Sequence, residues 1–215
     1  MGIRINEVIP NLTVETDQGS LNLHDWVGGN WSILFSHPKD FTPVCTTEFG
    51  AVAQLADEWD KRNVNVMGVS VDGVEEHIKW KADIEKAGGA TPNFPIVADQ
   101  GLALSKAFDM LPAEAILPDG RTPNDTATVR SVFIIGPDNQ LKLSMTYPMN
   151  VGRNFAEVLR AVDALQTANG QGVATPANWV PGGDVIVPMT VSDEDARAKY
   201  GEVDMVLPYL RKVKL

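Results

Sequence analysis

WSILFSHPKDFTPVCTTE, residues 31–48, decides the fold. Its first six residues, Trp31 to Ser36, are mostly apolar and β-prone, as a buried strand requires. A short loop with Pro38 follows, and from Pro43 to about Trp59 the pattern is helical. Thr42 stands where a helix N-cap belongs, and Pro43 falls at the first helical position, where a missing N–H costs nothing. The segment therefore reads as strand, loop and helix, with Cys45 in the first helical turn.

The same alternation continues outward. Val64 to Val71 repeats the strand signature, a charged amphipathic stretch from Val74 to Ala87 reads as a helix, and Gly88-Gly89 stops it. Within that helix Lys79, Lys81 and Lys86 alternate with acids, which predicts a solvated face. Phe94 to Ala98 is a short strand, and Gly101 to Phe108 a short helix. Met110 to Thr128 breaks the rhythm with Pro112, Pro118 and Pro123, and reads as a long functional or partner-facing loop. Val129 to Ile135 and Gln140 to Thr146 flank the turn Gly136-Pro-Asp-Asn139 and form an antiparallel hairpin, so the α/β sheet is mixed. Asn154 to Ala168 carries Phe155, Val158, Leu159, Val162 and Leu165 at helical spacing. Asn169 to Gly172 reads as a hinge. The expected organisation is a first domain of residues 1–168 and a C-terminal α+β extension of residues 169–215, with a helical turn or two around Ser192 to Tyr200. The extension is too short to hold a large core alone, and is expected to pack on its own domain or on another subunit.

Composition narrows the function. The 215 residues include 28 acidic and 18 basic side chains, a net charge of −10, and show no basic cluster, so a nucleic-acid partner is not expected. The 44% hydrophobic content suits a core-forming chain. No stretch approaches the roughly 18 consecutive apolar residues of a membrane span. The first residues turn polar too soon for a secretion signal, and Gly2 hints at myristoylation but has Asn6 where Ser or Thr is wanted, so a cytoplasmic address is expected. One cysteine allows no internal disulfide and no Cys-rich zinc site. The three histidines, His24, His37 and His77, show no HxxxH or HExxH spacing, and neither phosphate-binding glycine motif occurs, so no metal or nucleotide cofactor is expected.

Cys45 is where chemistry can reside. A cysteine in the first turn of a helix lies among unpaired backbone N–H groups at the positive end of the dipole, which favours the nucleophilic thiolate; the alternative is a buried cysteine acting as a small hydrophobe. Pro38, Thr42 and Cys45 have the spacing PxxxTxxC. With the block FSHPKDFTPVCTTE, the Arg130-Ser-Val-Phe strand, the Tyr147-Pro148 and Gly152-Arg-Asn154 stretch, and the Val173-Ala-Thr-Pro176 to Trp179 tail, the chain resembles the one-cysteine, peroxiredoxin-6-type branch of the peroxiredoxins over essentially its whole length.

The resemblance implies a thioredoxin-like mixed sheet flanked by helices, two-electron reduction of peroxides, and a homodimer. It also implies roles. Cys45 is the nucleophile, Arg130 lies beside its sulfur, Arg153 is a second arginine of the pocket, and Glu48 orients the two. Thr42 caps the helix or presents its hydroxyl to peroxide or sulfur, Pro38 shields the sulfur from water, and His37 hydrogen-bonds the substrate or the sulfur. The chemistry suits such a set: attack on a peroxide moves charge from sulfur to the leaving oxygen, and a fixed guanidinium stabilises that path without reorganisation.

With no resolving cysteine, the sulfenic acid must be reduced by an external thiol, and excess peroxide can drive it on to sulfinic acid. Two other functions share features of this sequence. A peroxide sensor or holdase would use the same first step. An acyl hydrolase would use His24 and Asp138 of the same branch, but its serine position falls on Asn30; Ser32, two residues on, is expected to face the same side, and no GxSxG elbow surrounds it. The trio therefore reads as surface polar residues.

Overall fold

The computed structural model describes residues 2–115 and 126–215. The chain divides into two compact units, Met1–Phe155 and Ala156–Leu215. Along the first unit run β1 (Thr13–Thr16), β2 (Gly19–Asn22), α1 (Leu23–Val27), β3 (Trp31–Ser36), α2 (Pro43–Gln54), α3 (Ala56–Lys61), β4 (Val64–Ser70), α4 (Val74–Gly88), β5 (Ile96–Ala98), α5 (Ala103–Ala107), β6 (Arg130–Ile135) and β7 (Leu141–Tyr147). Then come α6 (Phe155–Gln171), β8 (Val185–Ile186), α7 (Asp193–Tyr200), β9 (Asp204–Leu207) and β10 (Leu210–Val213).

Among the described residues, seven strands form one mixed sheet in the order β2-β1-β5-β4-β3-β6-β7. The central strands β3, β4 and β5 are parallel, β3 pairs antiparallel with β6, and β6 with β7. Strand β3 is buried from Ser32 to Ser36, so its apolar run reflects cover on both faces. One face packs Leu34, Met67, Val69, Val97, Phe133 and Ile135 into a single apolar cluster. This is the mixed α/β sheet expected from the strand and helix order, in the thioredoxin-like form that the resemblance implies. The hairpin of β1 and β2 and the short α1 lie ahead of Trp31, in a stretch whose alternation is too weak to read from sequence.

Helix α2 determines where the chemistry sits. The helical pattern read through to Trp59 is broken at Leu55, whose N–H turns back to the Val52 carbonyl 3.2 Å away. The Trp59 indole donates to the same carbonyl at 3.1 Å and clamps the break. Helices α2 and α4 meet at two glycines: a Cβ on Gly88 would fall 2.7 Å from the Cα of Gly50, so no other residue fits the crossing as it stands. The Gln54 amide also donates to the Gly88 carbonyl. Lys81 departs from the expected solvated face. It pairs with the nearly buried Asp17 in the β1–β2 turn and ties α4 to the sheet edge.

Of the expected proline-rich loop, residues 116–125 lie outside the described residues. Helix α6 continues through the expected hinge at Asn169, and its end is marked by Gly172 at φ 67°. In the second unit β8, β10 and β9 form a small sheet, and Val173, Trp179, Val185, Val187, Ala196 and Val213 make its core. Among the described residues no helix is long and apolar enough to cross a membrane.

Candidate active site

Strand β3 delivers the loop of residues 37–42 to the mouth of α2. Its end is held by hydrogen bonds on every side: the His37 N–H donates to Val69 O at 3.0 Å, Thr128 Oγ1 to His37 O at 2.7 Å, Ser131 N to Ser36 Oγ at 2.9 Å, and Ser36 Oγ to Val129 O at 2.5 Å. Helix α2 then starts as read, with Pro43 first and Thr42 in extended backbone before it. The Thr42 side chain, however, makes no capping bond. Its hydroxyl donates instead to Lys39 O at 2.8 Å. Capping is therefore not its role, and its oxygen keeps acceptor lone pairs.

Cys45 is fully buried, and it is not sealed in hydrocarbon. Arg130, the first residue of β6, places Nη1 3.3 Å from Sγ and 2.6 Å from Glu48 Oε2, while its Nε donates to Met149 O at 2.8 Å. Arg153 grips the same carboxylate from the other side, Nε to Oε1 at 2.9 Å and Nη2 to Oε2 at 2.7 Å, and its backbone N–H adds a bond to Oε1 at 2.8 Å. Its remaining Nη1 donates to Ser131 O at 2.8 Å, and its guanidinium stands 5.3 Å from the Phe35 ring centre and 5.5 Å from that of Phe155. Burial alone would raise the Glu48 carboxyl; hydrogen bonds and charge from Arg153, then charge from Arg130, outweigh it and hold the group below its ordinary range. The result is a buried Arg–Glu–Arg frame with one guanidinium edge on sulfur.

His37 is held by Asp40 and Trp80. Its Nε2 lies 2.6 Å from Asp40 Oδ1, its ring stacks 5.0 Å from that of Trp80, and Nδ1 is buried with no hydrogen-bond partner, so it makes no bond to Cys45 as the site stands. Asp40 Oδ2 meets His77 Nδ1, also at 2.6 Å. The two histidines that sequence spacing left apart thus share one carboxylate, and neither Asp40 nor His77 was marked by the motif. Donor atoms of His37, Asp40 and Asp72 lie within 4.8 Å of one another, the one grouping among the described residues that could hold a metal ion. Each already has a hydrogen-bond partner: Asp72 Oδ2 accepts from the Asp40 N–H at 2.9 Å and from Ser70 Oγ at 2.7 Å.

Among the described residues no hydrogen bond joins the hydrolase residues to one another. His24 Nε2 bonds Ile9 O at 2.8 Å and Asp138 pairs with Lys142 at 2.6 Å. Asn30 is exposed, but Ser32 is fully buried, which corrects its reading as a surface polar residue: β3 is covered on both faces, so alternation does not bring a side chain to solvent.

Residues 5–144 match the AhpC/TSA family, and residues 164–202 match the C-terminal domain of 1-Cys peroxiredoxin. The chain belongs to the peroxiredoxin family. This peroxiredoxin is 47% identical over 215 residues to peroxiredoxin PRX1, mitochondrial, of Saccharomyces cerevisiae, with 99% of this chain and 81% of the yeast protein covered. Its fold is similar to a solved cysteine-to-serine mutant of the peroxiredoxin 6 of Arenicola marina, with a TM-score of 0.91 at 42% identity over 99% and 98% of the two chains. It is also similar to a solved yeast mitochondrial 1-Cys peroxiredoxin, with a TM-score of 0.89 at 45% identity over 99% and 100%. Such a peroxiredoxin is a thiol-dependent peroxidase, and with one cysteine in its sequence it is of the one-cysteine kind.

Proposed function

We propose that Cys45 is the nucleophile of this peroxidase and that Arg130, Thr42 and His37 act on the reacting oxygens. The observation that carries the reading is the Arg130 Nη1 contact with Sγ at 3.3 Å, made by a guanidinium that Glu48 holds at 2.6 Å. The thiolate attacks one peroxide oxygen; the S–O bond forms as the O–O bond breaks, sulfur is oxidised by two electrons, and the other oxygen leaves as hydroxide or alkoxide and takes up a proton. Arg130 stabilises charge at both ends of that path. Thr42 accepts the peroxide hydrogen with the lone pairs left free by its bond to Lys39. His37 offers Nδ1 as a second acceptor. Pro38, with no N–H of its own, keeps water from competing for the sulfur. Arg153 and Glu48 act through Arg130 by fixing its plane.

The sulfenic acid is then reduced by an external thiol; the solved yeast relative has its thiol resolved via glutathione/thioredoxin systems. A reducing compartment follows, and we assign the cytoplasm, although the PRX1 relative is named as mitochondrial. The open edge of β7 favours pairing with a second copy. Exposed Met205, Val206, Leu207 and Tyr209 favour packing of residues 169–215 on a partner subunit.

Intact mass after one equivalent of hydrogen peroxide tests the reading. The expected result is one added oxygen, confined to Cys45 and absent from Cys45→Ser, with many turnovers once an external thiol is supplied. Oxygen on other residues, or a reaction that stops after one equivalent, would overturn it.

A further inference from the structure

The orientation of His37 is set from outside the arginine–glutamate frame. Asp40, between Pro38 and Thr42 in the motif, receives His37 Nε2 on one oxygen and His77 Nδ1 on the other, each at 2.6 Å, and all three side chains are buried. The Asp40 backbone N–H is tied to Asp72, the other charged group close to the ring, and His77 Nε2 faces Val97 O at 3.2 Å. Both nitrogens of His77 thus meet acceptors, one from the catalytic loop and one from β5. Burial would raise the Asp40 carboxyl, but hydrogen bonds from His37 and His77 bring it down to about 2, so it is ionised at any working pH. A carboxylate only accepts, so the proton facing it belongs to His37 Nε2. Burial lowers the pKa of His37 itself despite the pull of Asp40, so the ring is neutral and Nδ1 is a bare lone pair. That nitrogen is buried and has no hydrogen-bond partner. The ring lies against Phe49, with centres 4.6 Å apart, and Phe49 is four residues after Cys45 on one face of α2. A buried acceptor left empty, on a ring packed against the residue one turn from the nucleophile, is costly unless a donor arrives to fill it, and a hydroperoxide brings an O–H.

We propose that Asp40 and His77 are positioning residues of the peroxidase: Asp40 locks His37 in the Nε2–H tautomer, which makes Nδ1 the acceptor for the O–H of the incoming hydroperoxide, and His77 locks Asp40. This rests on His37 acting on the substrate as proposed above. In Asp40→Asn the amide can donate to Nε2, which moves the ring proton to Nδ1 and removes the acceptor with little change in shape.

Stopped-flow oxidation of the reduced full chain by hydrogen peroxide tests this, with the ultraviolet absorbance of the thiolate and the melting temperature followed in parallel. Asp40→Asn and His37→Asn are each expected to lower the second-order rate constant by about tenfold or more, and the double variant to lose no more than either single one, because groups acting as a unit are non-additive. The thiolate absorbance stays at its wild-type level. His77→Leu, which removes the donor to Asp40, is expected to slow oxidation, and His77→Asn, which restores an N–H donor, to recover most of that loss. Losses that multiply in the double variant, a drop matched by loss of thiolate absorbance, or equal rates in the two His77 variants would each overturn the proposal. If Asp40→Asn fails to fold, the His77 pair decides alone. Failure of the peroxidase reading itself shows separately, as a wild-type chain whose Cys45 gains no oxygen.

Discussion

Glu48 carries two guanidinium groups on one carboxylate inside the protein, and the two ends of that frame should respond differently to substitution. Glu48→Gln leaves Arg130 and Arg153 buried without their counter-charge, so it is expected to destabilise the fold by about 3–5 kcal/mol, read from the urea midpoint. Arg130→Met removes the donor at Sγ and is expected to slow oxidation by hydrogen peroxide by roughly 10²-fold near neutral pH, the scale of losing one preorganised donor. A stopped-flow rate constant that matches wild type across the pH range would remove Arg130 from the reaction. The sequence motif marks Pro38, Thr42 and Cys45 directly. Arg130 lies 85 positions from Cys45 and is legible only through resemblance, because no local pattern records a contact made by folding.

At the scale of elements, the placement of Cys45 depends on how closely α2 approaches α4. The crossing is made by Gly50 against Gly88, and Gly68 of β4 makes room for the Phe49 ring, which a Cβ there would approach to 2.7 Å. Gly50→Ala has to push the helices apart and is expected to cost about 1–3 kcal/mol, the usual range for overpacking, seen as a lower melting temperature. It should also slow oxidation, because α2 carries both Cys45 and Glu48. Unchanged stability would mean that the crossing relaxes freely. The start of α2 is legible in Thr42-Pro43, whose backbone requirements are local. Its interruption at Leu55 is not, because the clamp is an indole seven residues beyond the carbonyl it holds.

For the molecule as a whole, the buried ionisable groups set how stability depends on pH. His37, Asp40 and Glu48 all have folded-state pKa values below their ordinary ones of 6.5, 3.8 and 4.5. Between each folded and unfolded value the unfolded chain binds more protons, so stability rises with pH across that window. The contribution of His37 is complete above pH 6.5 and is lost as pH falls through its lowered value. Those of Glu48 and Asp40 are complete above their ordinary values and are lost below them, that of Asp40 down to about 2. Urea midpoints are therefore expected to decline below about pH 6.5 and to fall again below 4.5. His37→Asn should flatten the first decline and leave the second. A first decline that survives the substitution would assign it to another group.

The alternation of apolar strands and amphipathic helices determined a mixed α/β sheet, because the periods of 2 and 3.6 residues are properties of the local chain. The residue types around Cys45 determined a cysteine at a helix start, because the proline at the first helical position and the first-turn donors are local too. That one carboxylate holds both arginines was legible only through resemblance, and tertiary structure alone decided that His37 would turn toward Asp40 and His77 and that Ser32 would be buried. Those outcomes depend on which side chains meet across the sheet and between helices, and a buried charge finds its partner by proximity in space, whatever the separation in sequence.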